Sequence, residues 1–293
     1  MNDINPRFLL VLLLTIMSLT SLYATAFSSA TSAVNIEASG QIINSEEQLA
    51  PIGIFWWPER VPYNPDEMTQ CNVVLLDGHV PNGGSLRSQT ELTAKVQELR
   101  GYGKAVWGVV GGDPGTWVTQ AQRLATAGCL VIDCDDFWTV WHSQGYDVVT
   151  LFGDIYDAVN TIDPKIKICI TEASVPSYIE GFLSALESAG EPLPDYICPS
   201  RSSQNTDEDP LTWADWQVNE YRRIQSKFGI DKVFGNILFA DLNWNTGASM
   251  DFYRKAVNHT WTKLDGLLTW GVGWAAWDTN WEQVKSILAE TTG

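Results

Sequence analysis

Residues Lys104 to Trp141, KAVWGVVGGDPGTWVTQAQRLATAGCLVIDCDDFWTVW, decide the fold. Lys104 to Val110 is a short apolar run rich in β-branched residues, and Gly111-Gly112-Asp113-Pro114-Gly115 breaks it. Thr116 to Ala127 then reads as a helix, and Gly128 supplies its C-terminal stop. A second apolar run, Cys129 to Ile132, ends in Asp133-Cys134-Asp135-Asp136. A strand-helix-strand unit of this length predicts parallel strands joined by a right-handed crossover. Active sites of parallel α/β folds lie at the carboxyl ends of the strands, where these carboxylates fall. Side chains alternate along a strand, so Asp133 and Asp135 share one face while Asp136 points to the other. Asp133 and Asp135 are the candidate catalytic pair, and Asp136 is read as structural.

The rest of the chain repeats this unit. Strands are expected at Ile52 to Trp57, Asn72 to Leu76, Ile166 to Thr171, Tyr196 to Cys198, Val233 to Phe239 and Leu267 to Ala275. Helices are expected at Thr90 to Leu99, Asp147 to Ile162, Ser177 to Ala189, Thr212 to Phe228, Ala248 to Leu264 and Trp281 to Ala289. About eight strands alternating with helices predict a single (β/α)8 TIM barrel over 51–293. A doubly wound open sheet is the alternative. Neither G-x-G-x-x-G nor a Walker sequence appears, and Gly111-Gly112 alone does not suggest a nucleotide. No cofactor is expected.

The N-terminal end reads as an export signal over 1–26. Arg7 precedes the apolar run Phe8 to Met17, too short to span a bilayer comfortably, and Ala24-Thr25-Ala26 fits a cleavage site. An uncleaved anchor reaching Tyr23 is the competing reading. Residues 27–50, rich in Ser, Ala and Asn, read as a linker. The expected location is secreted, extracellular or at the cell surface, with no membrane attachment after cleavage. A formal charge of -17 argues against nucleic acid and anionic membranes as partners. Five cysteines, none in C-x-x-C spacing, read mostly as small core residues. A Cys134–Cys169 bridge between neighbouring strand ends is the one pairing the order of strands suggests.

Three motifs give the chain a resemblance. KAVWGVVGG, Lys104 to Gly112, is similar to the K-V-L-L-S-I-G-G of the third strand in the glycoside hydrolase family 18 superfamily, the chitinases and endo-β-N-acetylglucosaminidases. GCLVIDCD, Gly128 to Asp135, occupies the span of that family's D-x-x-D-x-D-x-E. Gly273-Trp274-Ala275-Ala276-Trp277 matches its eighth-strand G-x-x-x-W. The resemblance implies a hydrolase of β-linked amino-sugar polymers, with Asp135 as the acid that protonates the glycosidic oxygen. Asp133 would orient the substrate acetamide that attacks the anomeric carbon. Trp277 would floor a sugar subsite. The chain departs from the motif at Gly128 and Val131, which replace aspartates, and at Asp135, which replaces the glutamate. A catalytically inactive chitinase-like glycan-binding or cell-surface structural protein is therefore the alternative function.

Other strand-end residues complete the candidate site. Glu172 and Asp241 close strands five and seven and are expected to face the barrel mouth. Either would pair with Asp135 or Asp133 as nucleophile on a sugar lacking an acetamide. Trp57, Trp138, Trp141, Trp244 and Trp277 fall at or beyond strand ends, as aromatic faces suited to stacking on sugar rings. Arg201 is a candidate donor to a polar substrate. Asp77 and His79 end strand two and could join other acids around a metal, although only three histidines occur in the chain. The expected partner is a carbohydrate polymer or oligosaccharide.

Overall fold

The computed structural model describes residues 52–56, 69, 71–79, 85–172, 176–199, 209–238, 250–270 and 277–292. The first half runs β1 (Ile52–Trp56), β2 (Val73–Asp77), α1 (Gln89–Gly101), β3 (Ala105–Val110), α2 (Trp117–Ala127), β4 (Val131–Asp135) and α3 (Val148–Ile162). The second runs β5 (Lys167–Glu172), α4 (Pro176–Ala189), β6 (Tyr196–Pro199), α5 (Pro210–Phe228), β7 (Lys232–Val233), β8 (Gly235–Leu238), α6 (Met250–Thr260), β9 (Leu267–Trp270) and α7 (Trp277–Thr292). All of these elements belong to one unit, Leu49–Gly293. The signal and linker readings over 1–50 lie outside the described residues.

Every strand pairing is parallel, and the sheet runs β7-β6-β5-β4-β3-β2-β1-β9-β8. Space follows chain order throughout, without the reversal that a doubly wound open sheet requires. β7 pairs with β6, β8 pairs with β9, and only Phe234 separates β7 from β8. The two ends of the sheet therefore meet in one interrupted strand, and the sheet closes into a (β/α)8 barrel.

The sequence pattern predicts that strand as unbroken. The break arises where it changes partner: the Phe234 N–H donates to Ile197 O at 2.9 Å, and the Gly235 N–H to Gly266 O at 2.9 Å. Gly235 is also closely surrounded, so that a side chain there would need its neighbours to shift. A Cβ there would meet Thr260 Cγ2 at 3.1 Å and the Cδ1 atoms of Leu264 and Leu267 at 3.2 Å.

Period-two alternation sorts the strand residues into two cores. Val74, Leu76, Val106, Val110, Ile132 and Ile170 pack outward against the helices. Val73, Leu75, Trp107, Val109, Val131 and Phe234 fill the barrel interior, together with Cys169, Cys198 and Leu268. Trp107 and Phe234 meet edge to face there, with ring centroids 5.1 Å apart. All five cysteines are buried free thiols. Cys134 faces the helices and Cys169 the interior, so the bridge suggested by strand order does not form.

The amino-terminal face of the barrel is tied by carboxylates that accept strand N–H groups. Asp195 accepts from Ile168 at 2.9 Å and pairs with Lys167. Asp265 accepts from Val233 at 2.8 Å and from Arg222 Nη1 at 2.9 Å. Residues at this end of a barrel serve stability. Asp265→Ala is expected to cost about 1–2 kcal/mol, a charge-assisted bond discounted for solvent screening. A lower urea midpoint with an unaltered circular-dichroism spectrum is the expected reading.

Candidate active site

The apolar layers of the interior end in acids at the carboxyl ends of the strands. Asp133 lies opposite Val109 on β3 and Cys169 on β5, and Asp135 lies opposite Thr171. Both acids follow the inward parity of Val131. Asp133 is fully buried. Thr171 Oγ1 stands 2.9 Å from its Oδ1 and 3.1 Å from its Oδ2. Burial pushes the Asp133 carboxyl up to about 7, against the opposing effect of its bonds with Thr171 and Cys169; Asp136 adds to the rise.

Asp135 sits one layer further out and is half-buried. Its carboxyl is held well above the usual range, first by desolvation and then by the negative charge of Asp136, Asp133, Glu172 and Asp77. A carboxylic acid that keeps its proton at neutral pH is what general-acid chemistry requires. Asp133 presents no surface to a ligand, so it acts on a substrate only through Asp135 or after moving.

The chain leaves β4 through a strained residue. Asp136 adopts φ 56°, the one positive φ at a non-glycine position among the described residues. Aspartate tolerates this region better than most side chains, at a cost of about 1–2 kcal/mol. The Asp136 N–H donates to Thr171 O at 2.9 Å, which holds the turn. A π-helical turn, Phe137–Trp141, follows. Its Trp138 N–H donates to Glu172 Oε1 at 2.6 Å.

Glu172 is fully buried and shares the parity of Ile168 and Ile170, the helix-facing side of β5. The expected orientation toward the mouth is therefore corrected: the carboxylate caps the loop that follows β4. Trp138 likewise belongs to that loop. Its ring stacks on His142 with centroids 3.8 Å apart and lies 5.6 Å from Phe182. Trp138 and Trp141 both pack against the helix-facing core. This placement makes both rings, each partly buried, supports of the loop.

Asp77 closes β2 and accepts the His79 N–H at 2.8 Å. His79 Nδ1 stands 3.3 Å from the same oxygen, and its Nε2 is 2.9 Å from Gln120 Nε2. Gln120 also donates to Gly111 O at 2.8 Å. The buried amide thus links β2 to the turn after β3. Gly112 is required in that turn, because its φ is +69° and a Cβ would lie 2.9 Å from His79 Cε1. Among the described residues no group of three or more His, Cys, Asp or Glu is arranged to hold a metal ion.

Trp57, Arg201, Asp241 and Trp244 lie outside the described residues. Trp277 opens α7. Sequence reasoning missed Thr171 and Gln120. The alternation Lys167, Cys169, Thr171 marks the first as inward, while nothing in the pattern of α2 marks the second.

No protein-family model and no curated protein sequence matches the chain. Solved structures do resemble it. Fungal β-1,4-galactanase is similar with a TM-score of 0.56 at 14% identity, over 80% of this chain and 91% of that one. The active domain 2 of a thermostable chitinase from Pyrococcus furiosus gives 0.54 at 14% identity, over 76% and 83%. An intracellular xylanase from Thermoanaerobacterium saccharolyticum gives 0.53 at 10% identity, over 78% and 90%. The likeness thus extends across several glycosidase barrels rather than to chitinases in particular, and at such identities it establishes the (β/α)8 fold.

Proposed function

We propose that the chain is a secreted glycan-active protein of glycoside hydrolase type, acting on β-linked amino-sugar polymers. The observation that carries the reading is the inward pair at the end of β4, with Asp135 at the mouth above the buried Asp133. Asp135 is the general acid: it gives its proton to the glycosidic oxygen as the bond to the anomeric carbon breaks. Asp133 supports it from below.

The placement of Glu172 bears on the substrate class. One of the two acids available as a nucleophile is engaged with the Trp138 N–H on the helix side. A sugar whose own acetamide attacks the anomeric carbon needs no second carboxylate. The similar structures are named as a chitinase, β-1,4-galactanases and a xylanase, and the strand-four motif leans toward the first.

The second reading is a silent glycan-binding or surface protein, favoured by Asp135 standing one methylene short of the family's glutamate. Release from chromogenic chito-oligosaccharides, measured beside binding to insoluble chitin, separates the two. Release above the uncatalysed rate with binding is the expected result. Binding without release supports the second reading, and neither activity defeats both.

A further inference from the structure

From β5, Thr171 meets Asp133 by its side chain and Asp136, next to the pair, by its backbone. Its Oγ1 lies within hydrogen-bond distance of both Asp133 oxygens, and its carbonyl accepts the Asp136 N–H. The residue is buried, as is the carboxylate it meets. The Cys198 thiol is in hydrogen-bond contact with Thr171 from the neighbouring strand. A hydroxyl has one proton to donate and two lone pairs to accept with. An ionised carboxylate only accepts, so in the bond between Thr171 and charged Asp133 the hydroxyl is the donor.

We propose that Thr171 is a positioning residue of the acid pair: its hydroxyl fixes the Asp133 carboxylate and favours its charged form, so that a single proton shared by the two acids resides on Asp135. The inference rests on the reading of Asp135 as the general acid and adds the group that places the proton.

The other titratable groups around the pair do not supply this bias. Cys134, Cys169 and Cys198 are buried thiols whose ionisation is pushed well above its usual range, so they are neutral. Asp136, Glu172 and Asp77 each oppose ionisation of Asp135. Asp136 also opposes that of Asp133. The contacts that favour an anion at Asp133 are those of Thr171 and Cys169, and the hydroxyl is the stronger donor of the two. A buried carboxylate deprived of its donor takes up the proton instead.

The test compares the parent with Thr171→Val and Thr171→Ser. Two readouts are used, the pH profile of glycan hydrolysis and the carboxyl 13C titration of Asp133 and Asp135. Thr171→Val should move the alkaline limb of kcat to lower pH by about one unit, the scale of one hydrogen bond to a charge. The rate at low pH, where both acids are protonated, should stay within a few-fold of the parent. Thr171→Ser keeps the donor and should restore the parent profile.

In the titration, the proton of the singly protonated pair should pass from Asp135 to Asp133 in Thr171→Val. Should that variant not fold, Thr171→Ala removes the donor without adding an apolar group. Titrations of Asp133 and Asp135 unchanged by loss of the hydroxyl, or equal shifts in the Val and Ser variants, overturn the proposal. A parent without turnover that still shows the proton transfer would defeat the hydrolase reading and leave the role of Thr171 standing.

Discussion

Asp135→Asn is expected to lower turnover of a chito-oligosaccharide by about 10²–10⁴-fold, the usual contribution of a positioned general acid. Binding should change little. Burial and four neighbouring acids hold the parent carboxyl well above the usual carboxylate range and so favour its protonated form. Asparagine therefore replaces one neutral group by another of the same shape and removes only the transferable proton.

The pH dependence follows from the same direction. The active form is the protonated one, so the parent rate should persist well above the ordinary carboxylate range and fall on the alkaline side. Asp135→Glu adds one methylene toward the glycosidic oxygen and should raise the rate where reach limits it.

Stability carries a second signature. The Asp133 carboxyl rises from 3.8 to about 7 on folding. Between those values the folded chain binds more protons than the unfolded one. This contribution to stability is fully present below about pH 4 and is lost as pH rises through 7. Tm should fall from pH 5 to 8 in the parent and fall less in Asp133→Asn. Hydrolysis undiminished in both Asp133→Asn and Asp135→Asn would sink the assignment of this pair.

Much of the barrel was legible from the stretch around β3 and β4, because two apolar runs and an amphipathic helix leave few other folds open. The acid pair was legible too: parity along Val131, Asp133 and Asp135 is a property of any strand. Glu172 was misread because the expected strand stopped at Thr171. One more residue of β5 places that side chain on the helix side and makes it a loop cap.

The break at Phe234 depends on where a closing strand changes partner, which no local pattern records. Trp138 illustrates another gap. Its position after a strand suggested an exposed ring, but a π-helical turn has no sequence period. The turn lays the ring against His142 and Phe182. Thr171 is an ordinary strand residue until the register sets it opposite Asp135, with its hydroxyl on Asp133.

Trp117→Ala is expected to cost about 3–5 kcal/mol, the range for truncating a buried aromatic to alanine. Few single changes should cost more, since a domain of this kind has about 5–15 kcal/mol in total. Trp117 opens α2 and is fully buried. Its ring stacks on Phe137 with centroids 4.0 Å apart and planes 11° apart, and meets Trp141 edge-on at 5.5 Å. Its Nε1–H donates to Gly112 O at 3.2 Å.

One side chain thus joins the turn after β3 to the turn after β4, the two loops that flank the acid pair. Removing it should do more than lower the urea midpoint. Amide exchange should quicken at Gly112 and across Phe137–Trp141, and the lost geometry should reduce turnover beyond any loss of folded protein. Trp117→Phe keeps a stacked ring but not the hydrogen bond. It should recover most of the stability while leaving faster exchange near Gly112. Equal destabilisation in the two variants would assign the effect to the N–H bond. A cost below about 1 kcal/mol in Trp117→Ala would place that ring outside the core and refute its role in holding the loops.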